Sequence, residues 1–227
     1  MQPAQPAPTR YFPSITTYCG KDHQLVQFKY LGYLESGFDC VTLCAQTYTE
    51  PARDIVVKFV ERYSARAHHI LAEKGLAPQL VYHGHLHSDS MQPSYYPLYM
   101  VVMEYIDGDT LASALAKSTM NEDMIKTVQS ERKCALTLLH NKELVFGNLR
   151  LPNVIITREK KVKLIDFDWA GEVGQVEYPH LLSSVIEWPK DVQMLDSIKK
   201  EHDWTKCLQC NTALVFSSSP FVSLSYM

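Results

Sequence analysis

Residues 145–156 read VFGNLRLPNVII. An apolar lead-in gives way to a polar stretch carrying Asn148, Arg150 and Asn153, and an apolar run leads out again. The β-branched residues of VIIT (154–157) predict a short strand, and VKLIDF (162–167) predicts a second one close behind it. A polar loop therefore feeds a hairpin that ends in the acidic triplet Asp166-Phe167-Asp168.

Upstream of that loop the pattern is helical. Residues 110–117 and 121–140 predict two helices, and in the second Met124, Val128, Cys134, Leu138 and Leu139 fall mostly on one face. Asp109 stands where a cap of the first helix is expected. Further upstream the character turns to β. Residues 24–31, 38–48 and 54–60 are rich in β-branched and aromatic residues, and the segments 79–86 and 98–106 repeat that signal. One helix, about 61–74, interrupts the strands and is ended by Gly75 and Pro78. The chain thus divides into a leader without structure (1–20), a β-rich lobe (21–106), a helical lobe (107–207) and an irregular tail (208–227).

The totals narrow the function. A net charge of -3 leaves no electrostatic footprint for nucleic acid or an anionic membrane. No apolar run is long enough to span a bilayer, and the proline-rich start lacks a signal-peptide pattern, so the expectation is an intracellular protein, cytoplasmic or nuclear. Six scattered cysteines fit reduced thiols. Cys207 and Cys210 form one CxxC with no second pair, too few ligands for a structural zinc site. His83, His85 and His87 alternate on one strand face, where a single strand spaces them too widely for one ion, and an exposed edge is expected.

The segments VVKF, VVMEYIDG, FGNLRLPN and KLIDFDWAG occur in an order and on elements that resemble the protein-kinase-like fold, over roughly 25–203. The wording is most similar to small kinase-like proteins of fungi, in the style of choline and aminoglycoside phosphotransferases. The resemblance implies an α+β bilobal fold, with an antiparallel β small lobe and a short, mainly helical large lobe. It also implies ATP and Mg2+ as cofactors, and a protein or small-molecule phosphate acceptor.

Carried over residue by residue, the resemblance gives Lys58 the α- and β-phosphates of ATP. Val41 packs on the adenine, and Glu104, Tyr105 and Ile106 supply hinge backbone groups. Asn153 and Asp166 are the oxygen ligands for Mg2+. Asn148 stands where the motif places the aspartate base, five residues before Asn153. An amide orients a hydroxyl but has no basicity near pH 7 to take its proton.

Three further departures accompany it. Phe146 replaces the histidine of the motif. The stretch 63–72 lacks the carboxylate that pairs with the lysine, leaving Glu61 and Glu73 just outside. The glycine loop is poor, with Asp39 where a glycine belongs. The expected function is a Mg-ATP-binding kinase-like domain with weakened phosphotransfer. A pseudokinase that senses nucleotide or binds protein is the alternative.

Overall fold

A computed structural model describes residues 13–20, 22–34, 42–85 and 98–217, with side chains as far as residue 214. The chain falls into two compact units, 1–61 with 80–105, and 62–79 with 106–227.

The first unit is a six-stranded antiparallel sheet in the order β1-β2-β3-β4-β6-β5. Its strands are β1 (Thr17–Cys19), β2 (Leu25–Tyr33), β3 (Thr42–Thr47), β4 (Asp54–Val60), β5 (Leu80–His85) and β6 (Tyr99–Glu104). In β3 every second residue is buried, as expected of a strand with one face on a core. β4 lies between β3 and β6 and is buried on both faces. Ile55 and Val57 join Tyr18, Phe28, Ala45, Met100 and Val102 in one apolar cluster. Lys58 points the other way, since successive side chains alternate across a strand. β5 is an edge strand, and His83 and His85 there pack on the ring of Tyr99 with centroids 5.0 and 4.1 Å away. His87 lies outside the described residues, among which no group of three His, Cys, Asp or Glu could hold a metal ion.

The second unit is built around α3 (Glu122–His140), capped by Asn121, whose side chain accepts the Met124 N–H. α1 (Ala65–Glu73) is capped by Ser64 and stopped at Gly75, whose φ of 73° suits glycine. α2 (Leu111–Ala116) precedes α3, and α4 (Lys200–Ser217) packs against α3. β7 (Gly108–Thr110), β9 (Val154–Thr157) and β10 (Val162–Leu164) form a small sheet, while β8 (Leu144–Val145) pairs with β11 (Gly171–Glu172). Leu71, Leu111, Val128, Leu136, Leu139, Leu164 and Leu214 share one core, and each is fully buried.

Several expectations change here. Thr17–Cys19 is a strand paired with β2, so the leader is not structureless to residue 20. The tail is not irregular from 208, because α4 runs to Ser217 with Cys207, Cys210 and Leu214 turned inward. α1 belongs to the second unit although it falls within 21–106, because its buried face, Ala67, His68, Leu71 and Ala72, packs in that unit's core and against α3. Thr110, not Asp109, caps α2: its hydroxyl accepts the Ser113 N–H, while the Asp109 carboxylate is held by Ser113 and Lys117. Burial pushes the thiols of Cys207 and Cys210 up, which makes them packing groups of low reactivity.

Candidate functional site

The loop that follows β8 is held from three sides. Its apolar residues Phe146 and Leu149 are fully buried, which fixes the residues between them. Asp203, on the first turn of α4 and 1% exposed, accepts the backbone N–H of Phe146 and of Gly147, each at 2.8 Å. It also accepts Nε2–H of His140, from the end of α3, at 2.9 Å. A buried carboxylate with three donors is fully satisfied, and it fixes the loop's entry relative to α3 and α4. Beyond it, Leu151–Asn153 forms a single 3₁₀ turn with Pro152 in its first turn, closed by Asn153 N–H to the Arg150 carbonyl at 3.0 Å.

Gly147 takes φ 77°, a region costly to residues with a Cβ, and a Cβ there would lie 2.9 Å from the carbonyl oxygen of Trp169. Gly147→Ala is expected to lower stability by roughly 2–3 kcal/mol, combining left-handed strain with displacement of a backbone atom. Urea unfolding of the two proteins checks it, and an equal midpoint would contradict it.

Around this loop gather three of the residues singled out in the sequence. Asn148 is 3% exposed and Asn153 4%. Asn148 donates Nδ2–H to Oδ2 of Asp166 at 2.6 Å. Asn153 donates Nδ2–H to the Asn148 carbonyl at 2.9 Å and to the same Asp166 oxygen at 3.3 Å. Both partners are pure acceptors, so the amide nitrogens must face them, and the carbonyl oxygen Oδ1 of Asn153 is kept out of these two bonds. Asp166 itself sits at φ 71°, an unusual backbone conformation for a non-glycine residue and one that concentrates at functional sites. The site thus offers a carboxylate and an amide oxygen, the donor chemistry a hard divalent cation requires.

Phe167 anchors Asp166 from behind. Its ring meets Phe146 edge-on at 5.3 Å, stacks on His68 at 4.5 Å and approaches Tyr63 at 6.2 Å. Phe146 therefore trades the polar anchor of the motif for an apolar one: it is fully buried and makes an aromatic contact with the residue after Asp166. Burial, followed by the Asp168 and Asp166 charges, raises the Tyr63 phenol well above its ordinary range, so it is a neutral O–H donor.

His68 is fully buried between the Tyr63 hydroxyl, 2.6 Å from Nδ1, and the Pro78 carbonyl, 2.8 Å from Nε2. A carbonyl can only accept, so Nε2 carries the proton and Nδ1 accepts from Tyr63. Burial lowers this imidazole from 6.5 to about 4. As pH falls, the unfolded chain takes up the proton before the folded protein does. The contribution is fully present above pH 6.5, declines on acidification and levels off below about 4. At about 1.4 kcal/mol per unit it is worth roughly 3 kcal/mol. Urea midpoints of wild type and His68→Gln between pH 7 and pH 4 should show the steeper decline in wild type, and parallel curves would contradict the assignment.

Lys58 lies in the other unit, mid-strand in β4, opposite Thr42 and Val101, and is 4% exposed. It is therefore not a solvent-facing side chain. Glu104 ends β6 and is exposed, Tyr105 gives its N–H to the Asp54 carbonyl at 3.3 Å, and Ile106 follows half-buried. Val41 and the glycine-poor turn at 35–41 lie outside the described residues. Glu61, ahead of α1, and Glu73, its last residue, are both exposed. Asp203 and His140 are the residues a reading of the sequence misses: only a late His202-Asp203 pair is visible, with nothing to say that its carboxylate reaches back to Phe146 and Gly147.

Comparisons with known proteins bear on the family of the chain. The model of the protein kinase domain matches residues 37–186, more than half of the chain. Serine/threonine-protein kinase PAK mbt of Drosophila melanogaster is 24% identical over 134 residues, 59% of this chain and 21% of that protein. Serine/threonine-protein kinase PAK 5 of Rattus norvegicus is 31% identical over 75 residues, 33% of this chain and 10% of that protein. Serine/threonine-protein kinase pak-2 of Caenorhabditis elegans is 29% identical over 85 residues, 37% of this chain and 16% of that protein. The chain spans about a fifth of these relatives' length or less. With an antiparallel sheet in one unit, helices in the other and a family match across both, the chain belongs to the protein kinase domain family.

Proposed function

We propose that this domain binds ATP with Mg2+ and transfers phosphate slowly or not at all, because its base position carries an amide. The observation that carries the reading is the pair of amides on one oxygen of Asp166, from Asn148 at 2.6 Å and Asn153 at 3.3 Å. Asp166 and Asn153 would hold the metal through the carboxylate and Oδ1. When bound, Mg2+ neutralises charge on the transferring phosphoryl group. Lys58, buried on β4, is assigned the α- and β-phosphates. The backbone of Glu104 and Ile106 is assigned the adenine edge, and Val41 its face.

Asn148 has a different effect from an aspartate. It donates toward Asp166, where an aspartate would accept from a substrate hydroxyl. Positioning and charge stabilisation remain, so loss of the base alone removes roughly 10²–10⁴ in rate. The relatives are named serine/threonine-protein kinases, which supports a protein hydroxyl as acceptor. The wording GLAPQL and DFDWAG supports a place nearer the small kinase-like proteins of fungi within the family. Among the described residues no helix is long and apolar enough to cross a membrane, and Cys19, Cys44, Cys134, Cys207 and Cys210 are free thiols, which supports an intracellular setting.

Calorimetric titration with ATP in Mg2+ and in EDTA tests the reading. Wild type should bind at least tenfold more tightly with Mg2+, and Lys58→Met should lose most of the affinity. Equal affinities in all three measurements would overturn it.

A further inference from the structure

A cavity of about 380 Å³ opens on the second unit, walled by β7, α2, the start of α3 and the turn between β9 and β10. Its inner side is apolar: Ala114 is buried, and the half-buried Met120, Met124 and Ile156 pack on the core of the unit. Methionine is unbranched and polarizable, so this side adapts to side chains of different shape. The mouth is charged. Asp107 accepts from Arg158 Nε at 2.8 Å, and Asp109 accepts from Lys117 Nζ at 2.6 Å and from the Ser113 hydroxyl at 3.3 Å. Each carboxylate is thus already answered by a cation. Lys160 is the charge left over, exposed and without an ion pair among the described residues. Its backbone N–H donates to the Thr157 carbonyl at 2.9 Å, which holds the turn that sets it at the rim.

Asp107, Gly108, Thr119, Asn121, Arg158 and Lys160 are all exposed, so the cavity is open on one side. A small molecule seated there would keep much of its surface in water, whereas small-ligand sites bury most of theirs. A peptide fits the shape better. One aliphatic side chain fills the inner side, and the backbone lies along the polar mouth, where the Thr119 and Asn121 side chains offer hydrogen bonds. The surplus Lys160 and the outer end of the Arg158 guanidinium favour a carboxylate beside that side chain. We propose that this cavity docks a peptide segment of a partner protein in which a large aliphatic residue is closely followed by an acidic one. None of these residues is assigned to ATP, Mg2+ or the base position, so the docking site stands or falls apart from that reading.

The probe is a pool of fluorescein-labelled peptides with a fixed Leu and a Glu one to three places after it, the other positions being Gly, Ser and Ala. Fluorescence anisotropy reads its binding to the nucleotide-free protein. Wild type should bind the pool saturably, and more weakly at high ionic strength. Companion pools with Gln for the Glu, or Ala for the Leu, should bind at least fivefold more weakly. Lys160→Glu should weaken binding at least tenfold and Lys160→Arg should retain it, which separates loss of the charge from loss of the fold. Thr119→Trp, at the exposed mouth, should block the cavity. Lys126→Gln, at an exposed site on α3 outside the lining, should leave binding unchanged.

A wild type that fails to bind the pool would overturn the proposal. So would equal binding of the Glu and Gln pools, or a Lys160→Glu protein that binds as wild type does. Displacement of the peptide by Mg2+ and a non-hydrolysable ATP analogue would place it in the nucleotide site and overturn the proposal too. Self-association of the free protein that Thr119→Trp abolishes would give the cavity to a second copy of the chain instead. Failure of ATP to bind would leave the nucleotide-free titrations readable, so the two readings fail separately.

Discussion

Asp203→Asn is expected to lower the free energy of unfolding by roughly 3–5 kcal/mol, the range for removing one partner of a buried charged network. The carboxylate accepts Phe146 and Gly147 N–H with its two oxygens, and His140 shares Oδ2. An amide keeps the shape but offers one acceptor oxygen. Its NH₂ would then face an N–H donor, leaving at least one buried donor unsatisfied. The loss should appear in urea unfolding and as faster backbone amide exchange at Phe146 and Gly147. Asp203→Ala should be worse, since it adds a cavity beneath the loop. A variant within about 0.5 kcal/mol of wild type, the usual span of neutral surface changes, would show that the loop is held by Phe146 and Leu149 packing alone.

Asn148→Asp has the opposite interest, because it should cost stability and restore chemistry. The Asn148 amide lies 2.6 Å from Asp166 Oδ2, so an aspartate there brings two carboxylates together where an N–H···O bond now stands. Like charges at that distance cannot both ionise freely, and one of them takes up a proton. Without metal the variant should melt several degrees below wild type. With Mg2+ and ATP the deficit should shrink. Turnover should rise by roughly 10²–10⁴ if the base is the main missing element. A variant that regains metal-dependent stability with no turnover would place the defect in Phe146 or in the glycine-poor turn instead.

Much of this site is visible in the chain because its residues follow one another at fixed spacings. Asn148 and Asn153 share one loop, and Asp166 ends the hairpin that follows, so short-range order brings the three together. Lys58 is legible through the apolar run of β4 around it. What escapes is long-range. Asp203 reaches a loop more than fifty residues earlier, and no local pattern announces that. α4 past residue 207 mixes good helix formers, Leu208, Gln209 and Ala213, with the weaker Cys210, Asn211, Thr212 and Val215, and the burial of Cys207, Cys210 and Leu214 against the rest of the unit, which no cap in the sequence announces, accompanies the helix. β1 is three residues long, too short to register as a pattern, and exists through its pairing with β2. The one carboxylate of α1 is the exposed Glu73 at its last position, and the buried face of the helix instead carries His68 against Phe167.

The central claim is that Asp166 and Asn153 form a metal-nucleotide site although Asn148 has replaced the base. Thermal unfolding of wild type and Asp166→Ala, each with ATP in Mg2+ and in EDTA, tests it most directly. A ligand that binds only the folded state adds about 2.7 kcal/mol at a hundredfold excess over Kd, a shift of several degrees for a domain of this size. Wild type should show that shift only with Mg2+, and Asp166→Ala should show none. A wild-type midpoint indifferent to Mg2+ and ATP, in a protein that melts cooperatively, would contradict the account.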